Sequence, residues 1–125
     1  NLWKCDKCKN SVRPFKQTRL WKTSDILFIL VKRYRNNQKI TKFLEYPAIL
    51  DMKDYNINFS AKKNNIYSLQ SMAIHDGSLG GGHYYAVCKN YLEDKWYEYN
   101  DTRVNRITDE KSLKYSPYLL TYKRV

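Results

Sequence analysis

Cysteine is scarce in this chain, and its scarcity argues against a secreted protein. Only three of the 125 residues are cysteines: Cys5, Cys8 and Cys88. Three thiols are too few for the disulfide framework that stabilises small secreted domains. The first two form a Cys-x-x-Cys pair, which here indicates a metal site in a reducing compartment, the cytoplasm or the nucleus.

Long apolar segments are also absent. The longest apolar run, Ile26–Val31, is far short of the roughly 20 residues that a membrane-spanning helix needs, so it predicts a buried strand. The first residues lack the apolar core of a secretory signal peptide. With 42% hydrophobic and 15% aromatic residues, the chain suits one β-rich domain of modest size.

Acidic residues are few compared with basic ones. The chain has 23 Lys and Arg against 12 Asp and Glu, a formal net charge of +11. Such a balance is found in nucleic-acid-binding proteins. Here, however, the basic residues are scattered among apolar ones and form no block of five or more, so solvated strand faces are the preferred interpretation. An acidic segment outside this chain would also balance the charge.

The alternation of apolar and polar residues predicts mostly strands. They are expected at 15–23, 25–34, 40–44, 49–52, 66–75, 83–89, 95–101, 103–107 and 118–124. Loops are expected at 36–39, 62–65 and 76–82, and a short helix is expected to begin at Thr108. The chain has no internal repeat. These elements predict an α+β fold that is mostly antiparallel β.

The two strands at 83–89 and 95–101 carry the most informative residues. If their hairpin is centred on 90–94, His83 lies opposite Asn100 or Asp101, and opposed side chains are about 5 Å apart at Cβ. A carboxamide or carboxylate at that distance can hold an imidazole in one tautomer. A base oriented by a third group forms two members of a nucleophilic triad.

The third member, a nucleophile, is not found in the sequence. Cys88 is five residues beyond His83 on the same strand, and this odd offset puts it on the other face, roughly 16 Å away. Ser71 and Ser78 do not lie in a recognisable nucleophile turn. The sequence therefore predicts that the chain is one part of a catalytic unit.

Cys5 and Cys8 supply only two of the four ligands of a structural zinc site. A half-site is the favoured interpretation, and a plain turn with two thiols is the alternative. A redox pair is less favoured because no strand–helix context surrounds the motif.

The glycine-rich segment between the two histidines predicts a mobile lid. It has neither the lysine nor the following helix of a phosphate-binding loop. Its glycines would let another chain approach the backbone closely. We expect the substrate-binding segment to comprise His75, Asp76, Gly77, Gly80, Gly81, Gly82 and Tyr84. Of the two histidines, His75 lacks an amide partner at hairpin distance and is interpreted as structural or loop-ordering.

Several motifs together carry a resemblance to a known family. In chain order they are Cys5-x-x-Cys8, Lys32-Arg33-Tyr34, His75-x-Gly77, Gly82-His83-Tyr84-x-Ala86, Trp96-x-x-Tyr99-Asn100-Asp101 and Pro117-Tyr118-Leu119. They resemble the C-terminal half of the catalytic domain of ubiquitin-specific proteases, which are papain-like cysteine peptidases. The resemblance covers nearly the whole chain with no large insertion.

This resemblance implies a fold, an activity and partners. Residues 1–24 would be part of a finger arm, and 25–125 would be the palm sheet. The cysteine box, the oxyanion-hole residue and the first pair of zinc ligands would precede Asn1. The implied activity is deubiquitination, with His83 as general base and acid, Asn100 orienting it and Asp101 supplying charge.

Further implications concern ligands. Zinc would be held in part by Cys5 and Cys8, and the partners would be ubiquitin or ubiquitinated proteins and the N-terminal half of the same domain. The segment 76–82 would border the channel for the Gly-Gly tail of ubiquitin. A non-catalytic ubiquitin-binding or scaffold module is the main alternative, and a basic nucleic-acid-binding domain is a more remote one.

Overall fold

A computed structural model describes residues 2–55, 65–109 and 113–125. Within these ranges the regular elements are all strands: β1 Trp3–Lys4, β2 Ser11–Val12, β3 Ile26–Leu30, β4 Tyr34–Arg35, β5 Gln38–Lys39, β6 Ile49–Asp51, β7 Ile66–Ser78, β8 Gly81–Asn90, β9 Lys95–Asn100, β10 Arg103–Ile107 and β11 Pro117–Arg124. The prediction of a mostly antiparallel β fold is confirmed. The α component of the predicted α+β class is not confirmed, because the described residues contain no helix.

One seven-stranded sheet dominates the molecule. Its strand order is β10-β9-β8-β7-β11-β3, and β6 also pairs with β7. Every pairing is antiparallel. Two small hairpins, β1–β2 and β4–β5, stand outside this sheet. The 13-residue β7 is thus the central element, flanked by β11 on one side and, on the other, by β6 at its beginning and by β8 along the rest.

The sequence of β7 shows why one face of the sheet forms the core. Tyr67 and Leu69 are buried at alternate positions, and so are Met72 and Ile74. In a regular strand the side chains alternate between the two faces of the sheet. The odd-numbered pair and the even-numbered pair would then face opposite sides. A register shift against β11 lies between them, next to Gln70. The bulge turns the second pair back to the core face.

The remaining core residues come from other strands of the sheet. They are Val87 of β8 and Leu120 and Tyr122 of β11, which adjoin β7, and Trp96 of β9, one strand further out. The buried hydroxyl of Tyr67 donates to the Ser24 carbonyl and forms a second hydrogen bond with the Thr23 hydroxyl, each at 2.7 Å. Those bonds fix the segment that leads into β3.

Several local predictions were wrong. The alternating segment 15–23 forms no strand beyond a single bridge at Leu20, and residues 40–44 are irregular. Phe15 and Trp21 are 90% and 66% exposed, so no sheet within the described parts of the chain buries these alternating side chains. The segment 76–82 is not a loop, because β7 and β8 pair through Ser78 and Gly81. The predicted lid is therefore a tight β-hairpin.

Two predictions fall wholly or partly outside the described residues. The helix expected from Thr108 continues into residues 110–112, and Thr108 and Asp109 themselves are not helical. The loop expected at 62–65 is described only at Asn65. Within the described parts of the chain, no helix is long and apolar enough to cross a membrane.

Candidate active site

His83 and Asn100 meet at one end of the β8–β9 hairpin. His83 Nε2 lies 2.7 Å from Asn100 Oδ1, a short hydrogen bond. The two residues are 17 positions apart in sequence, and the hairpin closes that separation. The sequence predicted this pair, and the fold brings it together.

The geometry of this bond decides which imidazole nitrogen is free to react. Asn100 Oδ1 accepts, so His83 Nε2 carries the proton. Nδ1 is then left with its lone pair, and no described residue forms a hydrogen bond to it. The side chain of His83 is 46% exposed. An accessible, basic Nδ1 is what a general base needs.

The pairing register differs from the sequence prediction. Ala86 pairs with Tyr99, and continuing that register by one residue places Asn100 opposite Tyr85. His83 is therefore diagonal to Asn100, two positions further along β8. Their side chains are long enough to bridge the diagonal, since diagonal neighbours remain within reach across a sheet.

Asp101 is a second neighbour of His83. Its Oδ2 lies 3.8 Å from His83 Nε2, too far for a strong hydrogen bond but close enough for electrostatic attraction. Asp101 occupies the left-handed backbone region with φ 52°, which Asp tolerates in tight turns. Its side chain is 75% exposed, so solvent weakens its effect on an imidazolium.

The glycine hairpin before His83 is closely packed. Gly77 has φ +109°, and a Cβ there would lie 2.6 Å from the Gly81 carbonyl oxygen. A Cβ on Gly82, its cross-strand partner, would overlap the Asp76 carbonyl oxygen and His75 Nε2. Both positions require glycine for steric reasons. Gly80, at the turn, has no heavy atom within 4 Å of such a Cβ.

His75 is buried beneath this hairpin. Its ring packs against Tyr84 at a centroid distance of 4.4 Å, and Tyr34 and Tyr118 lie at 6.3 and 6.4 Å. Burial and these contacts are consistent with a structural or loop-ordering role for His75, which stays a prediction. Together with residues 78–82 these aromatic side chains line an open groove of about 440 Å³.

Three side chains beside this groove were missed from the sequence. Lys39 donates from its ammonium to His75 O and to Gly77 O, the latter at 2.9 Å. Tyr34 and Tyr118 complete the aromatic cluster. The sequence predicted the turn that separates β4 from β5, but nothing in it indicated that the hairpin lies against His75.

Cys88 is unsuited to be the nucleophile. It lies in the paired part of β8, between Ser71 and Tyr97 on the neighbouring strands. Burial raises the pKa of its thiol above the ordinary value, which favours the unreactive protonated form.

Cys5 and Cys8 lie on the turn between β1 and β2. The Cys5 amide donates to Asn10 O at 3.0 Å, and its carbonyl accepts from Lys9 N at 2.8 Å. The pKa of the Cys5 thiol is lowered by three hydrogen bonds. The largest effect comes from the backbone N–H of Cys8, followed by the backbone N–H of Lys7 and the Cys8 side chain. Amide donors around a thiolate suit a metal ligand. The described residues contain no group of three or more His, Cys, Asp or Glu side chains able to hold a metal, and the zinc half-site stays a prediction.

A histidine oriented by an amide at the end of a sheet is the arrangement of a hydrolase that uses a nucleophilic side chain. Comparison with known proteins identifies the family. The family model for ubiquitin carboxyl-terminal hydrolase matches residues 1–122. The chain belongs to that family, as its motifs predicted.

Individual relatives agree with this assignment. Ubiquitin carboxyl-terminal hydrolase 12 of Saccharomyces cerevisiae is 39% identical over 98% of this chain. Ubiquitin carboxyl-terminal hydrolase 10 of Arabidopsis thaliana is 33% identical over 100% of it. This chain spans only 10% and 14% of the lengths of those relatives.

Solved structures of SAGA DUB modules that contain Ubp8 have the same fold. Ubp8 in the SAGA DUB module with Sgf11, Sus1 and Sgf73 superposes with a TM-score of 0.86 and 32% identity, over 98% of this chain and 29% of Ubp8. Ubp8 in a module bound to ubiquitin aldehyde gives a TM-score of 0.84 and 31% identity, over 100% and 30%. The similarity therefore covers less than a third of the longer chain.

Proposed function

We propose that this chain is the histidine-bearing part of a deubiquitinating thiol protease. The observation that carries the proposal is the bond between His83 Nε2 and Asn100 Oδ1. That bond leaves Nδ1 as a base, and membership of the ubiquitin carboxyl-terminal hydrolase family supplies the substrate class. The nucleophile is a cysteine elsewhere in the complete catalytic domain.

In this mechanism His83 moves one proton in each direction. Nδ1 takes the proton of the cysteine thiol as the sulfur attacks the carbonyl carbon of the terminal glycine of ubiquitin. The C–N bond to the substrate lysine then breaks, and Nδ1 gives the proton to the leaving amine. Water cleaves the resulting thioester in the same way, with His83 again as base and then as acid.

Asn100 and Asp101 have different roles in this scheme. The amide of Asn100 fixes the tautomer and ring orientation but has no charge with which to stabilise an imidazolium. Asp101 supplies a negative charge 3.8 Å from Nε2. Its exposure limits the size of that contribution.

The groove beneath the glycine hairpin is proposed to take the C-terminal tail of ubiquitin. Its lining includes Gly82 and Tyr84, the two sequence neighbours of His83, and its glycine wall suits an extended tail ending in Gly-Gly, because bulky side chains would not pass. The ubiquitin aldehyde bound to the module containing Ubp8 supports ubiquitin as the partner. Cys5 and Cys8 would hold a structural zinc together with two ligands from elsewhere in the domain.

A non-catalytic ubiquitin-binding module is the second candidate. It is favoured by one observation: the described residues include no reactive, well-placed thiol. Such a module would use the same groove without turnover.

The test uses the complete catalytic domain and a fluorogenic amide of ubiquitin. His83→Ala should lower kcat by orders of magnitude and leave ubiquitin affinity nearly unchanged, since it removes the base but not the docking surface. Asn100→Ala should cost less. Asn105→Ala, on the exposed neighbouring strand, is the matched control and should be close to wild type. Full activity of His83→Ala would refute the mechanism, and an inactive wild type that binds ubiquitin would favour the binding module.

A further inference from the structure

Lys39 makes an unusual set of bonds for a lysine on a two-residue strand. Its ammonium faces three acceptors: His75 O, Gly77 O at 2.9 Å and His75 Nδ1 at 3.2 Å. An ammonium has three hydrogens and no lone pair. All three are therefore directed at β7, where it enters the glycine hairpin.

These bonds determine the state of the His75 ring. Because Lys39 can only donate, Nδ1 of His75 must accept, and its proton is then on Nε2. The Tyr34 hydroxyl also lies 3.1 Å from Nδ1. The Lys39 contact favours the Nε2–H tautomer of His75, whose ring is packed between Tyr84 and the backbone of Gly82.

The contact with Gly82 connects His75 to the catalytic base. His75 Nε2 occupies the space that a Cβ on Gly82 would need, and Gly82 immediately precedes His83. His83 itself pairs with Asp76, the residue after His75. A shift of the His75 ring would therefore move the start of β8 and, with it, the imidazole of His83.

The base of the β4–β5 hairpin is firmly anchored, so Lys39 can act as a fixed point. The buried side chain of Arg33, just before β4, donates to Pro117 O at 3.0 Å and to Ile40 O and Lys42 O at 3.2 and 2.6 Å. These bonds join both ends of the hairpin to the beginning of β11. The turn at Asn36 and Asn37 has positive φ at both residues, as a two-residue hairpin requires.

We propose that Lys39 is a positioning residue for the reaction. Through His75 and Gly82 it sets the place of His83 relative to Asn100, without touching either. The ammonium is suited to this because hydrogen bonds from a charged donor are shorter and about twice as strong as neutral ones. The kinetic part of this inference rests on the proposed function, whereas the structural part does not.

The test compares Lys39→Met with Lys39→Arg and with Lys42→Met in the complete catalytic domain. Lys42 is exposed and three residues away, so Lys42→Met removes a charge without disturbing the bonds to β7. The first readout is nitrogen NMR of labelled histidine, which reports the tautomer of His75. Wild type and Lys42→Met should show the Nε2–H form, and Lys39→Met should show a mixture with the Nδ1–H form.

The second readout is hydrolysis of the ubiquitin amide. Lys39→Met should lower kcat by about tenfold or more, since small misplacements of a catalytic group are that costly, and change KM much less. Lys39→Arg should recover part of the loss. An unchanged tautomer, an unchanged kcat, or an equal loss in Lys42→Met would each overturn the proposal. An inactive wild type would refute the proposed function alone, because the tautomer readout would still decide the role of Lys39.

Discussion

At the scale of single residues, the chemistry depends on which atom of His83 is left free. The Asn100 amide engages Nε2, so Nδ1 is the nitrogen left for the proposed role as base. A carboxylate in place of Asn100 would also bind Nε2 but would add charge. The amide gives orientation alone, and Asp101 adds a distant, solvent-screened charge.

Gly82 offers a sharp test at this scale. In Gly82→Ala the new Cβ would overlap the Asp76 carbonyl oxygen and the His75 ring, and the backbone oxygen cannot rotate away. We expect a destabilisation of about 1–3 kcal/mol, the usual cost of overpacking, and a fall in kcat/KM. Thermal unfolding and hydrolysis of the ubiquitin amide measure the two effects.

Gly80→Ala is the matched control for that experiment. It lies in the same hairpin, and a Cβ there meets no heavy atom within 4 Å. Its stability should stay near wild type, and stability is the property that this control matches, because Gly80 lines the proposed groove. If Gly82→Ala and Gly80→Ala were equally stable, the close packing between His75 and Gly82 would not contribute to the stability of the protein.

At the scale of elements, two small hairpins outside the main sheet have separate tasks. The β4–β5 hairpin lies against His75 and supports the active site. The β1–β2 hairpin presents two thiols at its turn and lies far from His83 in sequence. We expect changes in the two hairpins to affect different properties of the protein.

Cys5→Ser tests the second hairpin. In the complete domain, zinc content should fall sharply from about one per molecule, because a four-ligand site loses a thiolate. Structural zinc contributes folding free energy directly, so the variant should also unfold at a lower temperature. Ubiquitin affinity should suffer more than kcat, since His83 and Asn100 are on other strands. Elemental analysis, calorimetry and the comparison of KM with kcat measure these changes.

Cys88→Ser is the control, because it removes the third thiol at a site with no metal role. Zinc content should then be unchanged. Equal zinc content in wild type and Cys5→Ser would mean that the Cys-x-x-Cys motif is simply a turn with two thiols.

At the scale of the whole molecule, one face of the edge strand β3 is incompletely covered. Ile26, Phe28 and Leu30 on the edge strand β3 are 39%, 69% and 56% exposed. Exposed apolar residues on an edge strand favour association with another surface. In the complete domain, we expect the remaining part of the chain to cover this face.

A mixing experiment tests this expectation together with the origin of the nucleophile. The isolated chain should hydrolyse no ubiquitin ester or amide, because Cys88 is half-buried and its pKa is raised. Adding a separately expressed N-terminal part that bears the cysteine box should restore turnover. Phe28→Ser should weaken the restored activity by reducing assembly. Cysteine-dependent hydrolysis by the isolated chain would contradict the whole scheme.

Much of this molecule is determined by local sequence. The hairpin of β8 and β9, the strand β10 and the turn at 36–39 follow from alternation and turn residues, which act over a few positions. The pairing of His83 with Asn100 follows from them, because a short hairpin brings residues 17 apart to the same end. The family assignment also follows from these motifs, whose order along the chain is specific.

Only the tertiary structure decided the rest. Residues 15–23 alternate like a strand, yet no strand among the described residues covers them, and burial depends on neighbours rather than on pattern. The glycines at 76–82 predicted a loop, but packing on His75 joins them into two paired strands. The role of Lys39 depends on how β4–β5 lies against β7, across more than 30 residues of chain. Such long-range contacts come from the fold as a whole and leave no periodic trace in the sequence.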